Sequence, residues 1–302
     1  MDDPWLLSLC LTARPPVAPE GLWQAWSFAP VLVVPLALVL GLYGWAFARH
    51  GRRERGMTMT GGPSLFVSGW LLLAIALISP LCRMAATLAW AHMVQHVILV
   101  ALAPPLLVLG AWSRMPGWPS RGWPSDRRGT ALGNHALRML GGPTAASILY
   151  AVAIWAAHVP LIYQAALKDA TTHVVVAYGL VAVSVVFWRA VIDATLNPRA
   201  SRGGSALLAL FSAMVQTGLL GALLVWSPTP WYPVFAGSAA IWGMTPLEDQ
   251  QLAGLIMWVP MGAIYLTAGL IVTMTVVFGR RMGVSIGPPL QAPGVDPPAT
   301  LN

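Results

Sequence analysis

The stretch AHMVQHVILVALAPPLLVLG, residues 91–110, has the length and the apolar character of a membrane-spanning helix. It nevertheless carries His92 and His96 near its start, and Pro104 and Pro105 further on. Residues four apart lie on one face of a helix, so both imidazoles point to the same side. The prolines remove backbone donors and predict a kink in the second half of the helix. This stretch therefore predicts a membrane helix that carries two polar side chains on one face.

The rest of the chain is equally apolar. Of the 302 residues, 57% are hydrophobic and 9% are charged, and the mean hydropathy is +0.69. This composition excludes a soluble domain with an ordinary surface and predicts one all-α, polytopic domain in the lipid bilayer. The net charge of +7 does not indicate nucleic-acid binding, because the arginines lie in loops between apolar runs. Those runs predict seven transmembrane helices, at residues 27–48, 64–80, 84–112, 144–164, 172–192, 205–226 and 249–278.

The basic residues predict the orientation of this bundle. Fourteen of the 17 lysines and arginines fall on one side of the seven predicted helices. By the positive-inside rule that side is cytoplasmic, so the N-terminus is expected outside and the C-terminus inside. The predicted organisation is a short extracytoplasmic segment at 1–26, a seven-helix transmembrane domain at 27–279, and a Pro-rich cytoplasmic tail at 280–302, which is expected to be disordered.

With this topology, four of the six histidines fall in the outer half of the membrane, and an aspartate joins them at the outer start of the seventh helix. Polar side chains inside a bilayer are costly and usually face the bundle interior, where they pair or serve function. Several together predict a shared ligand. The predicted metal site comprises His92, His96, His158, His173 and Asp249, with Met257 and Cys82 as weaker candidates.

Three interpretations of this group stay open. Imidazole binds copper, zinc and iron, and the carboxylate either completes the ligand shell or orients a histidine, so a metal site is favoured. The others are a structural hydrogen-bonded network and haem ligation. Met257 is either a soft copper ligand or core filler. Cys82 is either a metal relay or an ordinary small residue, and its spacing from Cys10, the other cysteine, does not decide whether they pair.

Three segments in this order resemble the motifs of the CtaG-like cytochrome c oxidase assembly factor family: HMVQHVILVALAPPLLVLG (92–110), HVPLIYQAALKDATTH (158–173) and LEDQQLAGLIMWVP (247–260). Members of that family are seven-span proteins of the bacterial inner (plasma) membrane. The resemblance implies a role in maturing haem–copper oxidase, with copper delivery as the expected activity, and all five main site residues match motif positions. One departure follows His173: many members carry a glutamate and a histidine where this chain has Val176, Ala177 and Tyr178.

The leading hypothesis is a non-enzymatic metallochaperone that binds copper transiently at the outer face and hands it to a subunit of nascent cytochrome c oxidase. A periplasmic copper donor would load it, and a homodimer is left open. The alternative is an intramembrane zinc-dependent hydrolase, in which histidines hold zinc and Asp249 acts on a bound water as general base or orienter. The identity of the bound metal separates the two hypotheses.

Overall fold

The computed structural model describes residues 10–12, 15–50, 62–111, 142–196 and 203–281. These residues form helices and loops without a strand, which confirms the predicted all-α class. Short 3₁₀ turns lie at Pro19–Gln24, Pro233–Phe235 and Ala239–Trp242. The α-helices are α1 (Pro30–His50), α2 (Gly62–Ile78), α3 (Pro80–Ala85), α4 (Ala89–Val97), α5 (Ala103–Ala111), α6 (Pro143–His158), α7 (Pro160–Lys168), α8 (Ala170–Leu196), α9 (Gly203–Trp226) and α10 (Pro246–Arg281).

The described helices establish a multi-pass membrane protein with five or six apolar spans. A sixth span is counted if α6 and α7, which are bent by 71° at their junction, cross the bilayer as one unit. A further apolar helix, α2, has 17 residues. At 1.5 Å per residue it is about 26 Å long, slightly less than a typical hydrocarbon core of about 30 Å. The five long spans are Pro30–Arg49, Ala89–Ala111, Ala170–Leu196, Gly203–Trp226 and Pro246–Val277.

The predicted span at 144–164 is not one straight helix, and this corrects the interpretation of the sequence. Helix α6 ends at His158, Val159 is extended, and α7 begins at Pro160. Proline disfavours the helical conformation of the residue before it and cannot donate a backbone hydrogen bond. The bend leaves the His158 carbonyl without a helical partner, and the Tyr232 hydroxyl donates to it at 3.0 Å.

The prolines of the 91–110 stretch are accommodated by a π-helical turn at Ile98–Leu102, which joins α4 to α5 within one continuous span. Pro104 cannot donate to the carbonyl of Val100, four residues earlier. The indole Nε1 of Trp188, on α8, donates to that carbonyl instead, at 3.0 Å. The prolines thus coincide with a widened helical turn that is hydrogen-bonded to a neighbouring helix.

Helices α9 and α10 approach closely through two glycines. A Cβ atom on Gly221 would lie 2.7 Å from the Gly254 carbonyl oxygen, and a Cβ atom on Gly254 would lie 2.6 Å from the Gly221 carbonyl oxygen. Small residues at a crossing let two membrane helices bring their backbones together. This contact positions the first turns of α10, where Asp249 lies.

The N-terminal segment is fastened to the end of the bundle at which α4 begins. Cys10 forms a disulfide with Cys82 of α3, with a Cα–Cα distance of 5.4 Å. The Arg83 guanidinium next to it donates to the carbonyls of Leu11 and Pro15. The pairing that the sequence left open is therefore present in the structure. A metal relay through Cys82 requires a free thiolate, so the disulfide form does not offer this ligand.

Candidate functional site

Four histidines from three helices line one small cavity of about 50 Å³. His92 and His96 come from α4, His158 is the last residue of α6, and His173 lies in the first turn of α8. We call this space the histidine cavity. The structure thus brings together the four histidines that the sequence selected, although they are spread over more than 80 residues of chain. Their binding of a metal stays a prediction.

The wall contributed by α4 and by the π turn that follows it keeps helical spacing. His92, Gln95, His96 and Leu99 all line the cavity at positions i, i+3, i+4 and i+7. The side-chain amide of Gln95 donates to the carbonyl of Ala76 on α2 at 2.7 Å. This hydrogen bond helps to fix the rotation of α4, so that its polar face turns into the bundle.

Three of the four histidines are buried, His92 is half-buried, and the rings are close to one another. The exposed fractions are 5% for His96, 4% for His158 and 8% for His173. The ring centroids of His96 and His158 are 5.2 Å apart, with the rings perpendicular. His92 lies within electrostatic range of both His158 and His173. The His92 ring also lies 4.8 Å from the ring of Tyr163, measured between centroids.

Backbone carbonyls define the tautomer of two of these rings. The Nδ1 atom of His158 lies 2.8 Å from the carbonyl oxygen of Ile154, and Nδ1 of His173 lies 3.0 Å from that of Ala166. Because a carbonyl oxygen can only accept, each Nδ1 carries the proton and each Nε2 holds the lone pair. Metal-binding histidines commonly donate one ring N–H in this way, which orients the other nitrogen toward the ion.

Several polar atoms around the cavity are buried and have no hydrogen-bond partner among the described residues. A buried polar atom without a partner costs about 1–3 kcal/mol, and native proteins keep few of them. Four such atoms surround one cavity, where they are available to hydrogen-bond or coordinate a ligand. These atoms are Nδ1 of His92, Nε2 of His96, Nε2 of His158 and the hydroxyl of Tyr163.

The imidazoles do not form a ready multidentate site in this conformation. Within the described ranges, no group of three or more His, Cys, Asp or Glu side chains is arranged to hold a metal ion. The nearest approach to a site is the pair His96 and His158, because both Nε2 atoms lack partners and the two rings are neighbours. Ligation by further histidines would require their side chains to rotate.

Asp249 reaches the same end of the bundle but does not line the cavity. Its two carboxylate oxygens accept the backbone N–H groups of Ala89 at 2.8 Å and Trp90 at 2.9 Å. These residues open α4, whose N-cap position is occupied by Leu88 and so offers no side-chain acceptor. The carboxylate also lies at the positive end of the α4 dipole. Asp249 therefore positions the helix that carries the first two histidines, and this geometry gives no support to a general base of a hydrolase.

The geometry supports neither Met257 as a ligand in the histidine cavity nor the binding of haem by the histidines. Met257 is fully buried in the apolar core and does not line the histidine cavity. A volume of about 50 Å³ has room for an ion or a few water molecules, whereas a porphyrin needs far more space.

Tyr163 is a cavity residue that the sequence interpretation missed. It lies on α7, beyond the bend, and its ring stacks on that of Tyr232 with centroids 4.0 Å apart. Phe235 contacts the same ring edge-on, at 6.1 Å between centroids. The loop at 227–245 therefore covers this side of the cavity, and burial raises the pKa of the Tyr232 phenol. The available sequence signal was Pro160, which folds α7 back toward the histidines.

The positions that depart from the family motif also belong to this region. Val176 and Ala177 line the cavity, whereas the Tyr178 hydroxyl donates to the carbonyl of Val31 on α1 at 2.7 Å. The chain therefore has apolar groups on a part of the cavity wall where the resembled motif carries polar ones.

Fold and site together define a multi-pass helical membrane protein with a buried, histidine-lined cavity near one end of its bundle. A family profile described as cytochrome c oxidase caa3 assembly factor (Caa3_CtaG) matches residues 31–277. The chain therefore belongs to this family of oxidase assembly factors, as its three motifs predicted. Comparisons with curated proteins and with solved structures gave no match.

Proposed function

We propose that this protein binds copper in the histidine cavity and delivers it to cytochrome c oxidase during assembly. Family membership supports the role in oxidase assembly and implies an oxidase partner. The observation that supports metal binding is the meeting of four histidines around one cavity, with three ring nitrogens buried and without partners. Imidazole is a common copper ligand, and copper is a metal that haem–copper oxidases require.

The available ligands suit a metal that the protein binds transiently and transfers. The cavity offers imidazoles and no thiolate, because both cysteines of the chain are joined in the disulfide. The four ring systems also do not converge as a finished site. Such a site binds copper with moderate affinity and releases it by exchange with ligands of the receiving subunit. A periplasmic donor would load the cavity in the same manner.

The proposed topology has seven spans in the bacterial inner membrane. The five long helices each count as one span, and the bent pair of α6 and α7 counts as one more. Helix α2 brings the total to seven. The N-terminus lies outside and the C-terminus inside, because the loops rich in arginine then face the cytoplasm. The histidine cavity opens toward the periplasm in this arrangement. Labelling of single cysteines placed in the segments 112–141 and 227–245 tests it, since only a cysteine in 227–245 should react with an impermeant reagent in intact cells.

Substitution of the cavity histidines tests the function directly. We expect His96→Ala and His158→Ala each to lower copper affinity by about 100-fold and to reduce oxidase activity in cells that depend on this protein. The control is Thr267→Ala, whose hydroxyl only donates to the carbonyl of Ala263 on its own helix. Bound copper is measured by elemental analysis and oxidase activity in isolated membranes. Unchanged copper binding and unchanged oxidase activity in both histidine variants would reject the proposal.

A further inference from the structure

We propose that the histidine cavity selects a soft monovalent cation, copper as Cu(I), over divalent ions such as Zn(II) and Cu(II). This inference rests on the proposed metal binding and adds the charge of the ion. It follows from the groups that surround the cavity and from the number of nitrogen donors that can reach an ion inside it.

No carboxylate lines the cavity among the described residues. Its polar groups are the four imidazoles, the Gln95 amide and the Tyr163 hydroxyl, and its other lining side chains are apolar. The buried carboxylate at this end of the bundle, Asp249, is 0% exposed and accepts two backbone N–H groups at the start of α4. The oxygens of Asp249 therefore bond the helix terminus and are not offered as ligands to an ion in the cavity.

Two other carboxylates at the same end of the bundle also accept hydrogen bonds at the starts of helices. Asp169 accepts from the backbone N–H and the hydroxyl of Thr172, and Glu248 accepts from the backbone N–H and the hydroxyl of Thr245. Both carboxylates are bonded at the exposed starts of helices. Neither supplies a counter-charge to an ion in the cavity.

Ionic charge then separates the candidate metals. The cost of moving an ion from water into a poorly polar site grows with the square of its charge, so a divalent ion loses about four times as much hydration energy as a monovalent ion of equal size. Anionic ligands offset this cost in most divalent sites. Here the ligands are neutral imidazoles, and Val176 and Ala177 add apolar wall.

The number of donors favours the same ion. Zn(II) in structural sites takes four protein ligands and in catalytic sites three plus water. The described residues contain no group of three or more convergent ligands, whereas His96 and His158 present two unpartnered Nε2 atoms on neighbouring rings. Cu(I) is a soft, filled-shell ion that is stable with two nitrogen ligands. This histidine pair therefore supplies the two nitrogen donors that Cu(I) needs.

Silver tests the selectivity, because Ag(I) is monovalent, soft and inert to oxidation under the conditions of a titration. The full-length protein in lipid nanodiscs is dialysed to equilibrium against Ag(I) or Zn(II), and the bound metal is measured by elemental analysis. We expect Ag(I) to bind at least about 100-fold more tightly than Zn(II). We also expect the double variant His96→Ala/His158→Ala to lose this tight silver site.

A matched pair of substitutions separates a charge inside the cavity from the same charge outside it. Val176→Glu places a carboxylate in the cavity wall, whereas Val175→Glu places it at the neighbouring position, which is 65% exposed and outside the cavity. We expect Val176→Glu to raise Zn(II) affinity by about tenfold or more and Val175→Glu to leave it unchanged. Thermal unfolding of both variants checks that each is folded.

The outcomes distinguish this inference from the proposed function. Zn(II) binding to the unsubstituted protein as tight as Ag(I) binding overturns the selectivity and leaves metal binding intact. If neither Ag(I) nor Zn(II) binds, both proposals are overturned. Tight silver binding that survives in the double histidine variant places the monovalent site elsewhere and also overturns the inference.

Discussion

Two cavities in the described part of the bundle differ in size and in chemistry, and the smaller one has the features of a specific site. The histidine cavity has a volume of about 50 Å³, whereas a second cavity, between α5, α8 and α10, has about 440 Å³. We call the second one the apolar cavity. Its threonines donate their hydroxyls at 2.8 Å to helix carbonyls four residues earlier, as seen for Thr195, Thr267 and Thr275.

The volume of a cavity and its specificity for a ligand are therefore separate properties. The threonine hydroxyls of the apolar cavity are satisfied within their own helices, so they demand no partner from a ligand. The histidine cavity is small but retains buried nitrogen and oxygen atoms without partners. Lipid chains can fill the apolar cavity without any directional contact, whereas the polar atoms of the histidine cavity favour a ligand that bonds to them.

Filling each cavity with the same substitution gives the largest expected contrast. Ala157→Leu places a larger side chain in the histidine cavity, and Ala268→Leu places one in the apolar cavity. We expect Ala157→Leu to destabilise the protein by about 1–3 kcal/mol through overpacking and to remove metal binding. Ala268→Leu should change stability by less than about 1 kcal/mol and leave metal binding intact. Thermal unfolding and equilibrium dialysis measure both effects, and equal losses in the two variants would contradict the comparison.

The disulfide should stabilise the histidine end by a similar amount. Cys10 and Cys82 are 72 residues apart, and closing a loop of that length stabilises a protein by about 2–4 kcal/mol. We expect a reductant to lower the unfolding temperature of the natural chain and to have no effect on Cys10→Ser/Cys82→Ser. A thiol reagent should label the natural chain only after reduction. Labelling of the unreduced protein would show that the bond is not formed.

Asp249→Ala should loosen α4 from α10. Loss of two hydrogen bonds to a buried carboxylate should destabilise the protein by about 1.5–3 kcal/mol, and metal affinity should fall by about tenfold because α4 carries two histidines. Asp249→Asn keeps one acceptor oxygen and should lie between the two. The control is Glu248→Gln at the neighbouring exposed residue, which should have a smaller effect on unfolding temperature and none on metal binding. An Asp249→Ala variant with unchanged metal affinity would remove the positioning role.

The stacked pair Tyr163 and Tyr232 offers a finer test, because only one of the two hydroxyls has a partner among the described residues. The Tyr232 hydroxyl donates to the His158 carbonyl, whereas the Tyr163 hydroxyl is buried without a partner. We expect Tyr232→Phe to destabilise the metal-free protein by about 1 kcal/mol and Tyr163→Phe to leave its stability equal or slightly higher. Unfolding of the metal-free protein measures both. A loss of stability in Tyr163→Phe alone would show that this hydroxyl has a partner.

The smallest predicted effect concerns acid stability at the start of α8. Hydrogen bonds from Thr172 hold the pKa of the Asp169 carboxyl below its usual value. A lowered folded-state pKa means that this carboxylate stabilises the fold fully above its unfolded-state pKa of about 4, and that the contribution is lost as the pH falls through the folded-state pKa. Asp169→Asn should remove this part of the acid dependence of unfolding. Identical acid-unfolding profiles for the two proteins would contradict the assignment.

The sequence predicted the helices well because lipid requires long apolar runs, and such runs are visible without a structure. It did not predict the bend at Val159, since the residues on both sides of Pro160 are equally apolar. It also did not predict the π turn, because only the structure shows that Trp188 supplies the hydrogen bond that Pro104 cannot. These two features depend on neighbouring helices rather than on the local run of residues.

The meeting of the four histidines could be predicted for a similar reason, whereas their binding of a metal stays a prediction. Alternating helix directions place His92, His158 and His173 at one depth, so the topology alone suggested that they meet. The role of Asp249 could not be predicted, because its hydrogen bonds reach the backbone of residues 160 positions away and backbone groups leave no mark in a sequence. Tyr163 was missed because the apolar run around it conceals the bend.

Anomalous diffraction at the copper edge, from crystals of the full-length protein loaded with Cu(I), tests the central claim most directly. We expect one strong peak inside the histidine cavity, within bonding distance of Nε2 of His96 and Nε2 of His158. A peak elsewhere, for example beside the buried sulfur of Met257, or no ordered copper at all, would contradict it.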